Sequence, residues 1–334
     1  MEKVLSGIRS TGQLHIGNYF GAVKNFVQLQ HNHECYFFIA NLHALTTHPD
    51  PIALQHSVRQ VLAEYIACGI EPDKCAIYIQ SDVPEISELY VLLNMLAYKG
   101  ELEKTASFKD KARQQPENVN AGLLTYPVLM AADIMIHRAH KVPVGKDQEQ
   151  HLEMTRNFAQ RFNHRYNVDF FPEPQAYHFE GDLIKVPGLD GSGKMGKSEG
   201  EGNAIYLRDS DDIIRKKVMK AKTDSGPVEK NSTKPSEIQN LFTLLSLVSS
   251  DDVVNNFNDA YNQCVIRYGD LKKQLAEDII NFVAPLREKI LFLEADSGLL
   301  QDIAHQGAQK ARKSAKDTLQ GVRELMGLRS IWEL

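Results

Sequence analysis

Hydrophobic residues in the first half of the chain follow two alternating patterns. Continuous apolar runs stand at 35–40 (CYFFIA) and 75–80 (CAIYIQ), as expected of strands buried on both faces of a sheet. Between these runs, apolar residues recur at helical spacing, for example at Val58, Leu62 and Tyr65. Strands that alternate with helices in this way predict a parallel α/β sheet with right-handed crossover connections.

The second half of the chain has a different pattern. Helical spacing dominates beyond about Asp211, and proline and glycine interrupt the stretch between the two halves. We therefore predict a Rossmann-type parallel sheet followed by an all-helical domain, whose last helix could pack back on the sheet. The predicted parts are a first domain over 1–187 with a polar insertion at 105–120, a glycine-rich loop over 188–203, and a helical domain over 204–334.

Composition and charge narrow the class of protein. The 334 residues are 43% hydrophobic and 24% charged, which is typical of a soluble globular protein. No apolar run reaches the roughly 18 residues of a membrane-spanning helix, and the first residues lack a signal-peptide core, so we expect a cytoplasmic protein with no membrane partner. The net charge of −5 means that a nucleic-acid partner would be bound through local basic patches. The four cysteines lack CxxC spacing, which argues against a zinc knuckle or a redox dithiol. We predict no protein metal ligands.

The first candidate site is the segment Thr11–Asn18 (TGQLHIGN), which joins the strand predicted at Lys3–Arg9 to the first helix. Doubly wound sheets bind nucleotides at this position, because a helix N-terminus offers unpaired N–H groups and partial positive charge to phosphate. Gly17 has no Cβ, so a base or phosphate can approach the backbone, and His15 can donate to phosphate oxygens. A simple strand–turn–helix corner with a solvent-exposed histidine is the alternative interpretation.

The second candidate site is the segment Gly191–Ser198 (GSGKMGKS), which matches the P-loop pattern of NTP hydrolases. A P-loop must begin a helix, however, and the residues that follow are EGEGN, which contain two glycines. A loop that carries Lys194, Lys197 and Ser198 between glycines can instead close over a triphosphate and neutralise the leaving pyrophosphate. A solvated lysine loop without function is the alternative.

Together the two segments resemble the HIGH and KMSKS signatures of class I aminoacyl-tRNA synthetases. They stand here as His15–Asn18 (HIGN) and Lys194–Ser198 (KMGKS). Two further stretches, Gly122–Ile134 (GLLTYPVLMAADI) and Val142–His151 (VPVGKDQEQH), resemble the bacterial tryptophanyl-tRNA synthetases. The resemblance runs from Ser6 to the C-terminal helices and therefore covers nearly the whole chain.

The resemblance implies a reaction in two steps. L-tryptophan would be activated with ATP to tryptophanyl-adenylate and pyrophosphate, and then transferred to the 3′ end of tRNA(Trp). The substrate's own carboxylate is the nucleophile, so catalysis needs positioning and charge stabilisation rather than an activated protein side chain. ATP is the implied co-substrate, with Mg²⁺ bridging its phosphates. The family further implies anticodon binding by the helical domain and a homodimer. Candidate tRNA contacts are the basic runs at 215–217 with Lys220 and Lys222, and at 310–313 with Lys316.

The resemblance also implies which residues form the site. The catalytic residues would be Lys194, Lys197 and His15. The ATP site would consist of Arg9, Ser10, Thr11, Gly17, Asn18, Gly145, Lys146, Asp147, Val186, Lys194, Met195, Gly196, Lys197 and Ser198, and Lys111 could add a third charge. Three positions depart from the family pattern: Arg9-Ser10-Thr11 replaces Gln-Pro-Ser, Lys146 replaces Glu, and Gly196 replaces the first Ser of KMSKS.

Selection of the amino acid can be argued physically. Tyr126, Met130 and Asp133 fall at i, i+4 and i+7, on one helix face. The indole has one polar atom, an N–H donor, which Asp133 would accept while Met130 packs on the ring. A site built on such a bond can reject phenylalanine by about 10⁴–10⁵. Tyr126 and Gln148 would hold the α-ammonium and carboxylate. The alternative is an ordinary core helix in which Asp133 pairs with a nearby base.

Other functions remain open at this point. A tyrosyl-tRNA synthetase shares the fold, but the phenol is both donor and acceptor and would need more polar partners. A P-loop NTPase would hydrolyse ATP without any amino acid, and a non-catalytic RNA-binding paralogue would not turn ATP over. ATP–pyrophosphate exchange with each amino acid in turn separates all of these.

Overall fold

The computed structural model describes residues 1–10, 12–145, 148–177, 185–191, 193–196 and 202–328. Within them, five strands form one sheet whose neighbours are all parallel. The strands are β1 (Lys3–Ile8), β2 (Glu34–Ile39), β3 (Ala76–Ile79), β4 (Lys141–Val142) and β5 (Gln175–Ala176). Their order across the sheet is β3-β2-β1-β4-β5, which confirms the predicted Rossmann-type arrangement. The order reverses between β1 and β4, where sheets of this kind bind ligands.

The continuous apolar run of β2 follows from burial on both faces. Phe37 and Ile39 belong to one hydrophobic cluster, whereas Tyr36 and Phe38 belong to a second. Successive side chains of a strand point to opposite faces, so each face of the sheet has its own core. A strand with one solvated face would instead alternate apolar and polar residues.

Helices cover both faces of the sheet. Between β1 and β3 these are α1 (Ile16–Asn18), a π-helical turn (Tyr19–Val23), α2 (Lys24–Leu29), α3 (Asn41–Ala44) and α4 (Pro51–Ala67). After β3 they are α5 (Pro84–Asn94), α6 (Lys99–Leu102), α7 (Ala106–Gln114), α8 (Ala121–Ile136) and α9 (Glu149–Tyr166). The ends of α4 have clear causes: the Asp50 side chain accepts from Ala53 N at 2.9 Å, and Gly69 follows the helix with φ of +107°.

Two elements differ from the sequence prediction. The polar insertion at 105–120 contains the helix α7, none of whose residues is buried. Pro127 suits a first turn and predicts that α8 starts near Tyr126, but the helix begins five residues earlier, at Ala121. Asn120 provides the reason, because its side chain accepts from Leu123 N at 2.9 Å and caps the helix.

The region beyond the sheet is helical, as predicted. It contains α10 (Asp211–Met219), α11 (Ser236–Val248), α12 (Asp251–Asn262), α13 (Tyr268–Ala295) and α14 (Ser297–Leu325). The long α14 returns to the sheet and packs against β3 so closely that a Cβ on Gly307 would lie 1.7 Å from the Ile77 carbonyl oxygen. None of the helices in the described residues combines the length and apolarity that crossing a membrane would require.

A buried ionic network holds the corner after β1 in place. Glu64, on α4, is fully buried and accepts from Leu14 N at 2.9 Å and from Arg208 Nε at 2.8 Å. The same guanidinium donates two bonds of 2.6 Å to Glu294 on α13. Burial lowers the pKa of Arg208, but the two carboxylates outweigh this and raise it overall. The network therefore joins the corner to α4 and to the helical region.

Candidate active site

A pocket of about 520 Å³ lies at the carboxyl ends of β1, β2 and β4. Its lining includes all four residues predicted to bind the amino acid: Tyr126, Met130, Asp133 and Gln148. Arg9, His43 and Gly145 line it as well. The structure thus brings these side chains together at the point where the strand order reverses.

Asp133 lies on α8 and is 1% exposed. Its Oδ2 accepts from His43 Nε2 at 2.9 Å, and its two oxygens lie 2.8 and 2.9 Å from Gln80 Nε2. Burial raises the pKa of Asp133, and the bonds from His43 and Gln80 oppose this. The carboxylate does pair with a nearby base, as the alternative interpretation held, and it also lines the pocket.

Gln80 is a site residue that the sequence analysis missed. It is fully buried at the end of β3, and its Oε1 accepts from Leu42 N at 3.1 Å. This bond fixes the amide so that its nitrogen must face Asp133. The available signal was a polar residue directly after a buried strand, but its partner Asp133 lies 53 positions further along the chain.

His151 is the second residue that was missed. It is 1% exposed in the first turn of α9, and its Nε2 lies 2.6 Å from Tyr126 Oη and 2.8 Å from Ser107 Oγ. Its Nδ1 lies 2.9 Å from Gln148 Oε1. Both residues predicted to hold the α-ammonium and carboxylate are therefore bonded to one imidazole. The spacing of three between Gln148 and His151 at a helix start was the only local signal.

The insertion contributes a charge to the same pocket. Lys111 Nζ on α7 lies 3.8 Å from the centre of the Tyr126 ring, a cation–π contact. Burial, and secondarily the charge of Arg9, lower the pKa of Lys111 to about 8. The polar insertion predicted at 105–120 thus places an ammonium beside the amino-acid pocket.

The HIGN corner is a compact cap at the start of α1. His15 Nδ1 accepts from Asn18 N at 3.2 Å, and Asn18 Oδ1 accepts from His15 N at 3.1 Å, which forms a reciprocal capping box. His15 is only 5% exposed, so the alternative of a solvent-exposed histidine is wrong. Gly17 is required here, because a Cβ would lie 2.8 Å from His15 Nδ1.

The second glycine-rich segment lies directly against this corner. A Cβ on Gly17 would be 3.3 Å from Met195 Cβ, and Met195 is 1% exposed. Just after the segment, the chain bonds to the corner through Ile16 N to Ile205 O at 2.9 Å and Leu207 N to Leu14 O at 3.0 Å. Two stretches far apart in the sequence therefore meet at the carboxyl end of β1.

The remaining predicted ATP-site residues are placed as follows. Ser10 is buried, and its hydroxyl has no hydrogen-bond partner among the described residues. Val186 is buried beside Met195, whose N–H donates to its carbonyl at 2.8 Å, whereas Lys194 is exposed. Gly196 is half-buried. Thr11, Lys146, Asp147, Lys197 and Ser198 lie outside the described residues.

The basic runs proposed for tRNA are only partly available. Arg215 is bonded to Glu277, and Lys217 is bonded to Asp209 at 2.7 Å. In the second run, Arg312 points inward to Glu85. Lys216, Lys220 and Lys222 of the first run, and Lys313 and Lys316 of the second, are exposed.

A larger cavity of about 930 Å³ lies between α4 and α14. No residue predicted for the ATP or tryptophan site is among its described lining, so the candidate active site stays with the smaller pocket. Within the described part of the chain, no group of three or more His, Cys, Asp or Glu side chains could hold a metal ion.

A parallel sheet with a capped helix start at its switch point, a lysine-bearing segment against that start, and a helical extension together define a class I aminoacyl-tRNA synthetase. The family model for class I tRNA synthetases (W and Y) matches residues 1–284, and the chain belongs to this family.

Individual relatives agree over nearly the whole chain. It is 62% identical over 329 residues to the tryptophan–tRNA ligase of Porphyromonas gingivalis, covering 98% of this chain and 100% of that one. It is 42% identical to the tryptophan–tRNA ligase of Rickettsia conorii, with 97% and 98% covered. The crystal structure of tryptophanyl-tRNA synthetase from Campylobacter jejuni, complexed with ADP and tryptophan, superimposes with a TM-score of 0.87 at 36% identity, over 97% of this chain and 99% of that chain.

Proposed function

We propose that this chain is a tryptophan–tRNA ligase, which activates L-tryptophan with ATP and transfers it to tRNA(Trp). The observation that carries the proposal is the buried Asp133 carboxylate in the wall of the switch-point pocket. Relatives named tryptophan–tRNA ligase at up to 62% identity support the same substrate.

The amino acid is selected by what the pocket can accept. Asp133 is an acceptor, and the two donors beside it, His43 and Gln80, are already bonded to it. The indole N–H supplies a third donor, whereas a tyrosine phenol would also need a partner that donates. Met130 packs on the ring, and Tyr126 and Gln148 hold the α-ammonium and carboxylate. This arrangement favours tryptophan over the tyrosyl alternative.

ATP lies on the other side, across the HIGN corner. Its phosphates face Arg9, Ser10, Thr11 and His15. The Ser10 hydroxyl has no hydrogen-bond partner among the described residues, which supports an acceptor arriving there. The adenosine side is formed by Gly17, Asn18, Gly145, Lys146 and Asp147, with Val186 beside the base. The pyrophosphate is held by Lys194, Met195, Gly196, Lys197 and Ser198. The Lys111 ammonium adds a charge near the reacting carboxylate.

Chemistry then needs no protein nucleophile. An oxygen of the tryptophan carboxylate attacks the α-phosphorus, the bond to the bridging oxygen breaks, and pyrophosphate leaves with the negative charge that the lysines neutralise. A ribose hydroxyl at the tRNA 3′ end next attacks the activated carbonyl, loses its proton, and releases AMP. Mg²⁺ enters as part of the nucleotide substrate, because the described side chains near the phosphates are cationic or neutral and suit phosphate rather than a metal ion.

The proposal extends to the domain organisation, the oligomeric state and the location of the protein. The parts are a catalytic domain over 1–187 with its insertion at 105–120, a pyrophosphate loop over 188–203, and an anticodon-binding domain over 204–334. Exposed Val91, Met95 and Tyr98 form an apolar stretch on α5 and just after it, which supports a homodimer. A tRNA ligase serves translation, so the proposed location is the cytoplasm.

ATP–pyrophosphate exchange with each of the twenty amino acids tests the function. We expect exchange that depends on tryptophan, and aminoacylation of tRNA(Trp) in a second assay. Exchange driven by tyrosine would establish the alternative specificity. ATP hydrolysis without an amino acid, or the absence of any turnover, would point to an NTPase or an RNA-binding paralogue and would end the proposal.

A further inference from the structure

Arg9 follows β1 directly and marks the boundary between two sites. Leu5, Ser6 and Gly7 of β1, and then Arg9, line the amino-acid pocket, whereas the buried Ser10 is not part of its described lining. Ser10 begins the segment that leads to the HIGN corner, beside which the phosphates of ATP are proposed to bind. Arg9 therefore stands where the amino acid would meet the nucleotide.

The charge of Arg9 has no partner within the described part of the protein. Its guanidinium is exposed and forms no ion pair and no hydrogen bond with any described residue. The Lys111 ammonium, beside the same pocket, contacts the Tyr126 ring and likewise lacks a carboxylate partner among the described residues. Asp133 is the one acidic side chain in the described lining, and it already accepts from two donors of the protein.

The two cations lie close enough to repel each other. The charge of Arg9 is, after burial, the second cause that lowers the pKa of Lys111. Like charges that stand together without an acid are unfavourable in the empty pocket, and an anionic ligand would relieve the repulsion. The pocket is thus charged in advance for a negatively charged group.

Activation brings two anions together at this boundary. The tryptophan carboxylate is ionised at neutral pH, and the α-phosphate of ATP carries a negative charge as well. A carboxylate oxygen forms a bond to the α-phosphorus while the bond from phosphorus to the bridging oxygen breaks, so pyrophosphate leaves with that electron pair. One negative charge then remains on the phosphate of the adenylate. A cation that bonds to both anions offsets their repulsion during the step.

An arginine suits this task better than a lysine does. The guanidinium is planar and carries several N–H donors in a fixed fork, so it can bond to oxygens of two groups at once. It stays protonated at every working pH, so Arg9 would donate hydrogen bonds and transfer no proton. Lys111, with a pKa of about 8, is a compact charge that is lost at mildly alkaline pH.

We propose that Arg9 is a catalytic residue of amino-acid activation: its guanidinium bonds to the tryptophan carboxylate and to the α-phosphate of ATP together, and afterwards holds the adenylate by its remaining negative charge. The role deepens the proposed function and rests on it. It also gives a reason for the departure from the family pattern at this position, where arginine replaces glutamine.

Arg9→Gln tests the role, because it removes the charge and restores the residue of the family pattern. The guanidinium has no bond to a described residue, so the Tm of the variant should be unchanged. We expect the affinity for tryptophan to fall by about 10-fold, and that for tryptophanyl sulfamoyl-adenosine, whose anionic sulfamate replaces the phosphate, by about 10- to 100-fold. Tryptamine lacks the carboxylate and adenosine lacks the phosphates, so neither affinity should fall. Equilibrium titration gives all of these values.

The chemical step should lose more than tryptophan binding does. We expect the single-turnover rate of adenylate formation, with saturating tryptophan and ATP, to fall about 10²-fold in Arg9→Gln, a typical cost of removing one donor to a transition-state charge. Arg113→Gln is the matched control, because it also removes one arginine charge. Arg113 is exposed on α7, faces Asp110 at 3.9 Å and lies outside the described lining of the pocket, so its removal should change neither the affinities nor the rate.

Several results would overturn the proposal. Equal weakening of tryptophan and tryptamine by Arg9→Gln would mean that Arg9 only shapes the pocket, and unchanged affinities and rate would mean that it has no role. The same losses in Arg113→Gln would mean that only the total charge matters. Arg9→Lys keeps the charge without the fork and should recover only part of the rate, whereas full recovery would exclude bonding to two anions at once. Absence of tryptophan-dependent exchange in the unaltered protein is a separate result, because it would reject the function itself.

Discussion

The Asp133 carboxylate can be tested with one change in the protein and one in the substrate. We expect Asp133→Asn to slow activation of tryptophan but not of 3-benzothienylalanine, an analogue that has sulfur where the indole has N–H. The asparagine keeps the size of the side chain and replaces a charged acceptor with a neutral one. Only the substrate with an N–H group should therefore be activated more slowly by the variant.

The geometry around Asp133 sets the size of the effect. The Gln80 amide cannot turn, because its oxygen accepts from Leu42 N, so its nitrogen still faces position 133. The new amide nitrogen must therefore point toward His43, which can change tautomer and accept it. An oxygen remains for the indole, and exchanging a charge-assisted bond for a neutral one costs about 1.4 kcal/mol, or about tenfold in kcat/KM.

The test measures ATP–pyrophosphate exchange kinetics for both amino acids with both the unaltered protein and the variant. Tryptophan should lose about tenfold in kcat/KM, and the analogue should change by less than about twofold. Thermal unfolding of the variant checks that the pocket is intact. A matching loss for both amino acids would mean that Asp133 acts by supporting the pocket. No loss for either would mean that the indole N–H binds elsewhere.

Three further outcomes follow from the structure. Gly307→Ala should destabilise the protein by about 3 kcal/mol in thermal unfolding, because the new methyl group overlaps a carbonyl oxygen of β3. Gly269→Ala, which has open space around it, should be neutral or slightly stabilising. Equal stability of the two variants would contradict the packing of α14 against β3. Lys111 should lose its charge in the free enzyme as the pH rises through about 8, so kcat/KM for ATP should fall between pH 7 and 9. Lys111→Arg should flatten this pH profile, because arginine stays charged over that range. An identical profile for the variant would exclude Lys111 as the titrating group. Glu64→Gln should cost about 3 kcal/mol of stability, because Arg208 then loses a buried charged partner; an unchanged Tm would show that Glu294 alone suffices.

Local sequence patterns were sufficient to predict the parallel sheet and the helices that alternate with its strands. The run CYFFIA predicts a strand buried on both faces, and Phe37 and Phe38 indeed enter opposite cores. The end of α4 also has a local cause, because Gly69, which has a positive φ, follows the helix. Such features are set by residues close together in the chain, so a single sequence contains their cause.

The site was only partly predictable, because its bonds join distant positions. Gln80 and Asp133 come from β3 and α8, and no spacing rule connects them. The helix α7 buries none of its residues, so it has no apolar face to reveal it, and its place depends on single bonds such as that of Ser107 to His151. Pro127 was misleading because the cap at Asn120, not the proline, decides where α8 begins.

The return of α14 to the edge of β3 has a consequence for biosynthesis. While the ribosome is still translating the middle of the chain, β3 is the rim of an unfinished sheet, and its main-chain groups are open to pairing with another molecule. The nascent protein must therefore hold an aggregation-prone edge until residue 297 and those after it have emerged from the exit tunnel. Premature termination between β5 and α14 should yield a product that chaperones retain, even though all five described strands of the sheet have already been made.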